Sequence, residues 1–188
     1  MQKYEIRSIA PHKLRKKAYL RHQNIHYNQN NHMAKNEQYM RQAIRLAVEN
    51  VKNGGGPFGA VIVKDGEVIA TGVNRVTATH DPTAHAEVSA IREAAARMGT
   101  YDLSGCEIYS SCEPCPMCLG AIYWARLDRL YYAGTRADAA NVGFDDAHIY
   151  EELPLDPSQR ELPTQTLLRE EAQRVFEAWA GKLDKKEY

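Results

Sequence analysis

Two short motifs constrain this chain more than any other feature: "HAE" at residues 85–87 and "CPMC" at 115–118, the second starting 28 residues after Glu87. Both stand where a helix should begin. In "THDPTAHAEVSAIREAAARMG", Pro82 and Thr83 precede an Ala-rich run that Gly99 closes. In "EPCPMCLGAIYWAR", prolines open a stretch that takes on helical character through Trp124, and the short strand "CEIYSS" leads into it. His85 and Glu87 therefore fall in one first turn, and Cys115 and Cys118 at another helix start.

These residue types suit a metal. Zinc is held by Cys sulfur and His nitrogen, and a catalytic site uses three protein ligands so that a fourth position stays open for water. His85, Cys115 and Cys118 make such a set, at helix ends whose positive dipole favours thiolates. Glu87, two residues beyond His85, can reach the water without being a ligand, as a proton shuttle requires. His-x-Glu with Pro-Cys-x-x-Cys is the signature of zinc deaminases of nucleobases. Either half alone would be weak.

Cys112 stands three residues before Cys115, so other readings are open. An iron–sulfur cluster would need a fourth, downstream cysteine, and the remaining one, Cys106, lies upstream. A Cys112–Cys115 redox pair leaves His85 and Glu87 unexplained. Cys106 opens a strand and reads as a small buried hydrophobe.

Elsewhere, Met40, Ala43, Ile44, Ala47, Val48 and Val51 recur at three and four and predict a helix from Glu37 to Lys52. "GAVIVKDGEVIATG" predicts a hairpin turning at Asp65-Gly66. "RLYYAG" reads as a strand, "DAANVGFDDAHIYEEL" as a short helix or irregular loop, and 153–163 as a Pro-bearing linker. Leu167, Leu168, Ala172, Val175, Phe176 and Trp179 mark a last amphipathic helix. The order of helices and strands predicts an α/β layered domain, a mixed sheet between helices.

At 188 residues, 44% hydrophobic and 26% charged, the chain can bury a core without staples. Its zero net charge hides an asymmetry. Residues 1–32 hold seven Lys/Arg and one acid, leaving 17 basic and 23 acidic residues on 33–188, a net of −6. An acidic body is a poor match for a phosphate backbone, although Lys13 to Lys17 could serve as a small nucleic-acid-binding arm. The leader also reads as a poorly ordered extension. With no signal-peptide stretch and no run of 18 apolar residues, an intracellular protein without a membrane span is expected, and its clustered cysteines are metal ligands before they are disulfides.

The blocks "GGPFGAVIVKDG", "DPTAHAEV", "SCEPCPMCLGAIYWAR", "GFDD" and the terminal "KKEY" resemble the cytidine and nucleotide deaminase superfamily and, within it, the bacterial guanine deaminases, over about residues 36–188. The first three blocks are partly shared with tRNA adenosine deaminases. The last two separate them. The resemblance implies a cytidine deaminase-like three-layer α/β/α fold with a mixed five-stranded sheet. It implies a basic extension over 1–34, a zinc-dependent deaminase domain over 35–152, and a linker, helix and lid segment over 153–188.

The implied activity is cytoplasmic: conversion of free guanine to xanthine and ammonia in purine catabolism or salvage. One Zn2+ per subunit would sit on His85, Cys115 and Cys118, and zinc-activated water would attack C2 while Glu87 protonates N3. Asn74 would bond the purine, Phe58 and Trp124 would line the base pocket, and Asp146 would contact the base and assist proton transfer. Members of the family exchange the C-terminal segment within a homodimer, which would make Tyr188 a lid on the partner's site. Each has a plainer reading: a turn for Asn74, core for the aromatics, a helix cap for Asp145 or Asp146, a frayed end for Tyr188. The competing functions are a tRNA adenosine deaminase and a non-catalytic zinc- or nucleobase-binding module on the same fold.

Overall fold

The computed structural model describes residues 33–187, and the chain forms two units, Met1–Tyr39 and Met40–Tyr188. In the first, residues 33–39 are helical; residues 1–32, with the basic extension expected there, lie outside the described residues. The second unit holds the sheet and the motifs.

That unit begins with helical residues 40–52, here α1. Strands β1 (Gly59–Lys64) and β2 (Glu67–Val73) follow as the expected hairpin. Asp65 and Gly66 both have positive φ, 51° and 81°, the two-residue turn whose twist matches paired strands. After the short α2 (Val76–Thr79) come α3 (Ala86–Met98), β3 (Cys106–Cys112), α4 (Pro116–Trp124) and β4 (Arg129–Gly134). The segment left open between helix and loop is two short helices, α5 (Arg136–Ala140) and α6 (Ala147–Glu152), with a loop between them. A 3-10 turn at Pro157–Gln159 lies in the linker, and α7 (Arg169–Ala180) is the last helix.

The sheet order is β2-β1-β3-β4, antiparallel except for the parallel pair β3–β4. The described residues thus form four strands, where the resemblance implied five. After β4 the chain turns into helices, and its linker carries Pro154, Pro157 and Pro163, which cannot donate to a ladder.

Side chains alternate across a strand, so Gly59 and Ala60 face opposite ways. Ala60 pairs with Gly72. A Cβ on Gly72 would collide with the backbone of Ala86 and Ala90 in α3, and one on Gly59 would collide with that of Ala43 and Ala47 in α1. The two helices therefore lie on opposite faces of the sheet, each seated on a missing side chain, and a three-layer α/β/α arrangement results. On the α3 face, Ala60, Ile62, Ala90, Ile108 and, from α4, Ile122 form the core.

Close seating also decides which side of α1 is buried. Ala43 and Ala47 are buried, whereas Ile44, Val48 and Val51 are 40 to 52% exposed. In α7 no residue is buried, and Val175 and Phe176 are each about two-thirds exposed. Among the described residues, no helix is long and apolar enough to cross a membrane.

Candidate metal centre and adjoining pocket

His85 is the N-cap of α3 and Cys115 the N-cap of α4, both in extended backbone. Ala84 and Ala86 are buried on either side of His85, and Pro116 opens α4, so each motif is fixed by its helix start. His85 Nδ1 lies 3.5 Å from both Cys115 Sγ and Cys118 Sγ. The three ligand atoms lie within 4.8 Å of one another. One nitrogen and two sulfurs at this spacing fit zinc, with a fourth position left for water.

Cys115 is the thiolate of the pair. Its pKa is lowered to about 4, first by the hydrogen bond with the Cys118 thiol and, against the opposing effect of burial, by His85. The same bond, with burial, pushes the Cys118 thiol up. The bond to Cys115 raises His85, which favours imidazolium beside the thiolate. A metal would replace the proton that Cys118 holds.

Glu87 sits in the first turn of α3 and is 6% exposed. Ser110 Oγ donates to its Oε1 at 3.2 Å and Cys118 Sγ to its Oε2 at 3.5 Å. Burial raises its pKa most. A carboxyl held this way beside a metal site is placed to take up and give up protons.

Cys112 does not join this group; its Sγ donates to the Thr135 carbonyl at 3.5 Å. Cys106 is fully buried, with its Sγ 4.0 Å from Met98 Sδ.

Next to the three donors opens a cavity of about 730 Å³ that includes Phe58, Asn74, Glu87, Asp145 and Asp146 in its lining. Asn74 is 8% exposed, and its Oδ1 accepts from the Val76 amide at 3.3 Å. The two acids of "GFDD" divide their roles: Asp145 Oδ1 accepts from the Ala147 amide at 2.9 Å, while Asp146, the N-cap of α6, makes no capping bond. Burial raises the Asp146 pKa, opposed by Arg136 and reinforced by Cys115.

Two lining residues, Phe144 and Arg136, escaped sequence reasoning. Phe144 meets Phe58 edge to face at 5.0 Å between ring centroids. It stands inside the "GFDD" block, where an aromatic before two acids was the available signal. The Arg136 amide donates to Glu113 Oε2 at 3.1 Å, and its guanidinium lies 4.0 Å over the Tyr150 ring. Tyr150 donates to the Pro114 carbonyl at 3.2 Å. These contacts strap α5 to Glu113 and α6 to Pro114, the two residues preceding Cys115, and nothing in the local sequence announces them.

Trp124 is not brought to this cavity. It ends α4, nine residues after Cys115, and is 68% exposed. A helix rises about 1.5 Å per residue, so the indole is carried away from the ligand end. Tyr188 lies outside the described residues.

Comparison with known proteins identifies the same region. The cytidine and deoxycytidylate deaminase zinc-binding region matches residues 33–134. Guanine deaminase of Bacillus subtilis is 52% identical over 153 residues, 81% of this chain and 98% of that protein. Its X-ray structure matches this one with a TM-score of 0.79 over the same shares. The tRNA-specific adenosine deaminase of Aquifex aeolicus is 42% identical over 97 residues, 52% of this chain and 64% of that protein.

Proposed function

The chain belongs to the cytidine and deoxycytidylate deaminase family, and we propose that within it this enzyme hydrolyses guanine to xanthine and ammonia. The observation that carries this reading is the extent of the match to a guanine deaminase. It takes in nearly all of that protein, whereas the match to a tRNA-specific adenosine deaminase covers 52% of this chain. The net of −6 on residues 33–188 supports the choice, because an RNA stem needs a basic surface.

His85, Cys115 and Cys118 would hold the ion. When bound, zinc acidifies water enough to make it a nucleophile at neutral pH. Asn74 and Phe58 hold the base with C2 toward that water. Glu87 takes a proton from the water and delivers it to N3 as the C2–O bond forms. It then takes the remaining proton from the new C2 hydroxyl and passes it to the amino nitrogen as the C2–N bond breaks, releasing ammonia and leaving the C2 carbonyl of xanthine. Asp146, whose carboxyl pKa is raised by burial, contacts the base and supports the proton traffic.

The working enzyme in this reading is a cytoplasmic homodimer. Residues 35–152 form the deaminase domain, and 153–188 cross to the partner so that Tyr188 covers its base pocket. Two observations support the exchange: α7 leaves Val175, Phe176 and Trp179 exposed, and no described residue beyond Ile149 lines the cavity. An apolar helix face needs a partner surface.

The deciding experiment is an ammonia-release screen over guanine, cytosine, adenine, cytidine and tRNA, with zinc measured on the same sample. Guanine alone should turn over, with one zinc per chain. Release from tRNA and none from guanine would overturn the reading.

A further inference from the structure

We propose that Asn50, on α1 and outside the cavity lining, is a positioning residue that sets how Asn74 meets the base. The inference rests on the pocket being a guanine site. Asn50 Nδ2 donates at 2.8 Å to the Gly56 carbonyl and at 2.8 Å to the Asn74 carbonyl. A carboxamide nitrogen has two hydrogens, so both are committed. One side chain thus bridges the glycine loop before β1 and the chain leaving β2, 24 residues away in sequence.

The bridged parts touch each other. A Cβ on Gly56 would stand 3.1 Å from Asn74 Cγ, so the loop packs directly on the Asn74 carboxamide. The Phe58 amide donates to the Gly56 carbonyl at 2.9 Å, and the Asn74 amide to the Phe58 carbonyl at 3.2 Å. Asn50 therefore closes a ring of main-chain bonds around the two residues assigned to the base. Its own carbonyl accepts from the Gly55 amide at 2.8 Å, which anchors the loop to the end of α1. A Cβ on Gly55 would meet the Asn50 side chain at 2.6 Å from Oδ1, so the loop is shaped around this residue.

Aspartate has the same shape as asparagine but no donors, and at this position its oxygen would face two carbonyl oxygens. A residue that acts by orienting a binding group changes KM more than kcat and does not touch the metal. Asn50→Asp should raise KM for guanine about tenfold, corresponding to about 1.4 kcal/mol of lost binding, with kcat within about threefold and one zinc per chain retained. Asn50→Ala should raise KM in the same direction, and serves if the aspartate variant does not fold. In an Asn74→Ala background, Asn50→Ala should add less than about twofold, because its effect passes through Asn74.

Unchanged KM in both Asn50 variants would overturn the inference. So would a full, additive loss in the Asn74→Ala background, which would mark Asn50 as structural only. Failure of the guanine reading itself would appear differently, as absence of ammonia release from guanine by the parent protein.

Discussion

Ser110 Oγ donates to Glu87 Oε1 at 3.2 Å, linking β3 to the first turn of α3 across the interior. This bond opposes the larger effect of burial and lowers the Glu87 pKa. Its removal has a definite sign. Ser110→Ala should move the acid limb of the kcat/KM profile to higher pH, because the ionised carboxylate that accepts the first proton becomes harder to form. The loss should fall on the acid side of the profile, against unchanged zinc content. A profile that stays in place would separate Ser110 from the proton path.

Glu87 itself divides binding from chemistry. Glu87→Gln should keep zinc and guanine binding, and lower kcat by about 1,000-fold, the middle of what a positioned acid–base group supplies. The metal-free protein gives a second readout. The folded state holds the Glu87 proton to a higher pH than the unfolded state does. Its stability therefore falls as pH rises above the usual carboxylate range toward the raised value. A neutral glutamine removes that loss, so metal-free Glu87→Gln should unfold at a higher temperature than the parent at pH 7. Near-normal ammonia release by this variant would rule out the shuttle.

The cysteines should behave unequally. Cys115→Ala or Cys118→Ala should lose zinc, and Cys112→Ala should keep it, because Cys112 spends its thiol on the Thr135 carbonyl. Zinc uptake by the metal-free protein should release protons, since the Cys118 thiol must ionise to become a ligand. Affinity should rise with pH for the same reason. Calorimetry in two buffers of different ionisation enthalpy measures the protons, and metal analysis of the three variants tests the asymmetry.

Much of this arrangement was legible because its signals are local. A helix start, an Asp-Gly turn or a Cys-x-x-Cys spacing is written within a few residues, and "HAE" with "CPMC" sufficed to select His85, Cys115 and Cys118. What could not be read depends on pieces that meet only after folding. Periodicity placed Ile44, Val48 and Val51 on the apolar face of α1, yet the seat at Gly59 admits only the small Ala43 and Ala47. Phe144 and Arg136 enter the pocket through packing of α5 and α6, and their partners Phe58 and Tyr150 are distant in sequence. Trp124 reads as a pocket aromatic from its motif, but helix rise carries it off.

Arg136 offers a prediction on how the Asp146 loop is held. Its amide and guanidinium engage Glu113, and the guanidinium lies over Tyr150. Arg136→Ala should loosen the loop that carries Phe144 and Asp146, and reduce kcat/KM by about tenfold with zinc retained. Lysine keeps the charge but lacks the planar group that covers the ring, so Arg136→Lys should recover only part of the loss. Full activity in both variants would leave the strap without a role in turnover.

Exchange of the C-terminal segment can be tested by giving each defect to a different chain. A Glu87→Gln chain has a dead site and an intact tail; a chain ending at residue 180 has an intact site and no lid. Each homodimer should be slow. If the segment covers the partner's pocket, mixed dimers combine one intact site with a tail supplied from the other chain, and unfolding and refolding the two together should restore up to about a quarter of parental activity. That fraction follows because half of the dimers from an equal mixture are mixed and each has one complete site. A lid acting within its own chain predicts no recovery at all, because no chain in the mixture carries both parts. Zinc content should match that of the parent in every sample, so the comparison isolates closure of the pocket from assembly of the metal site.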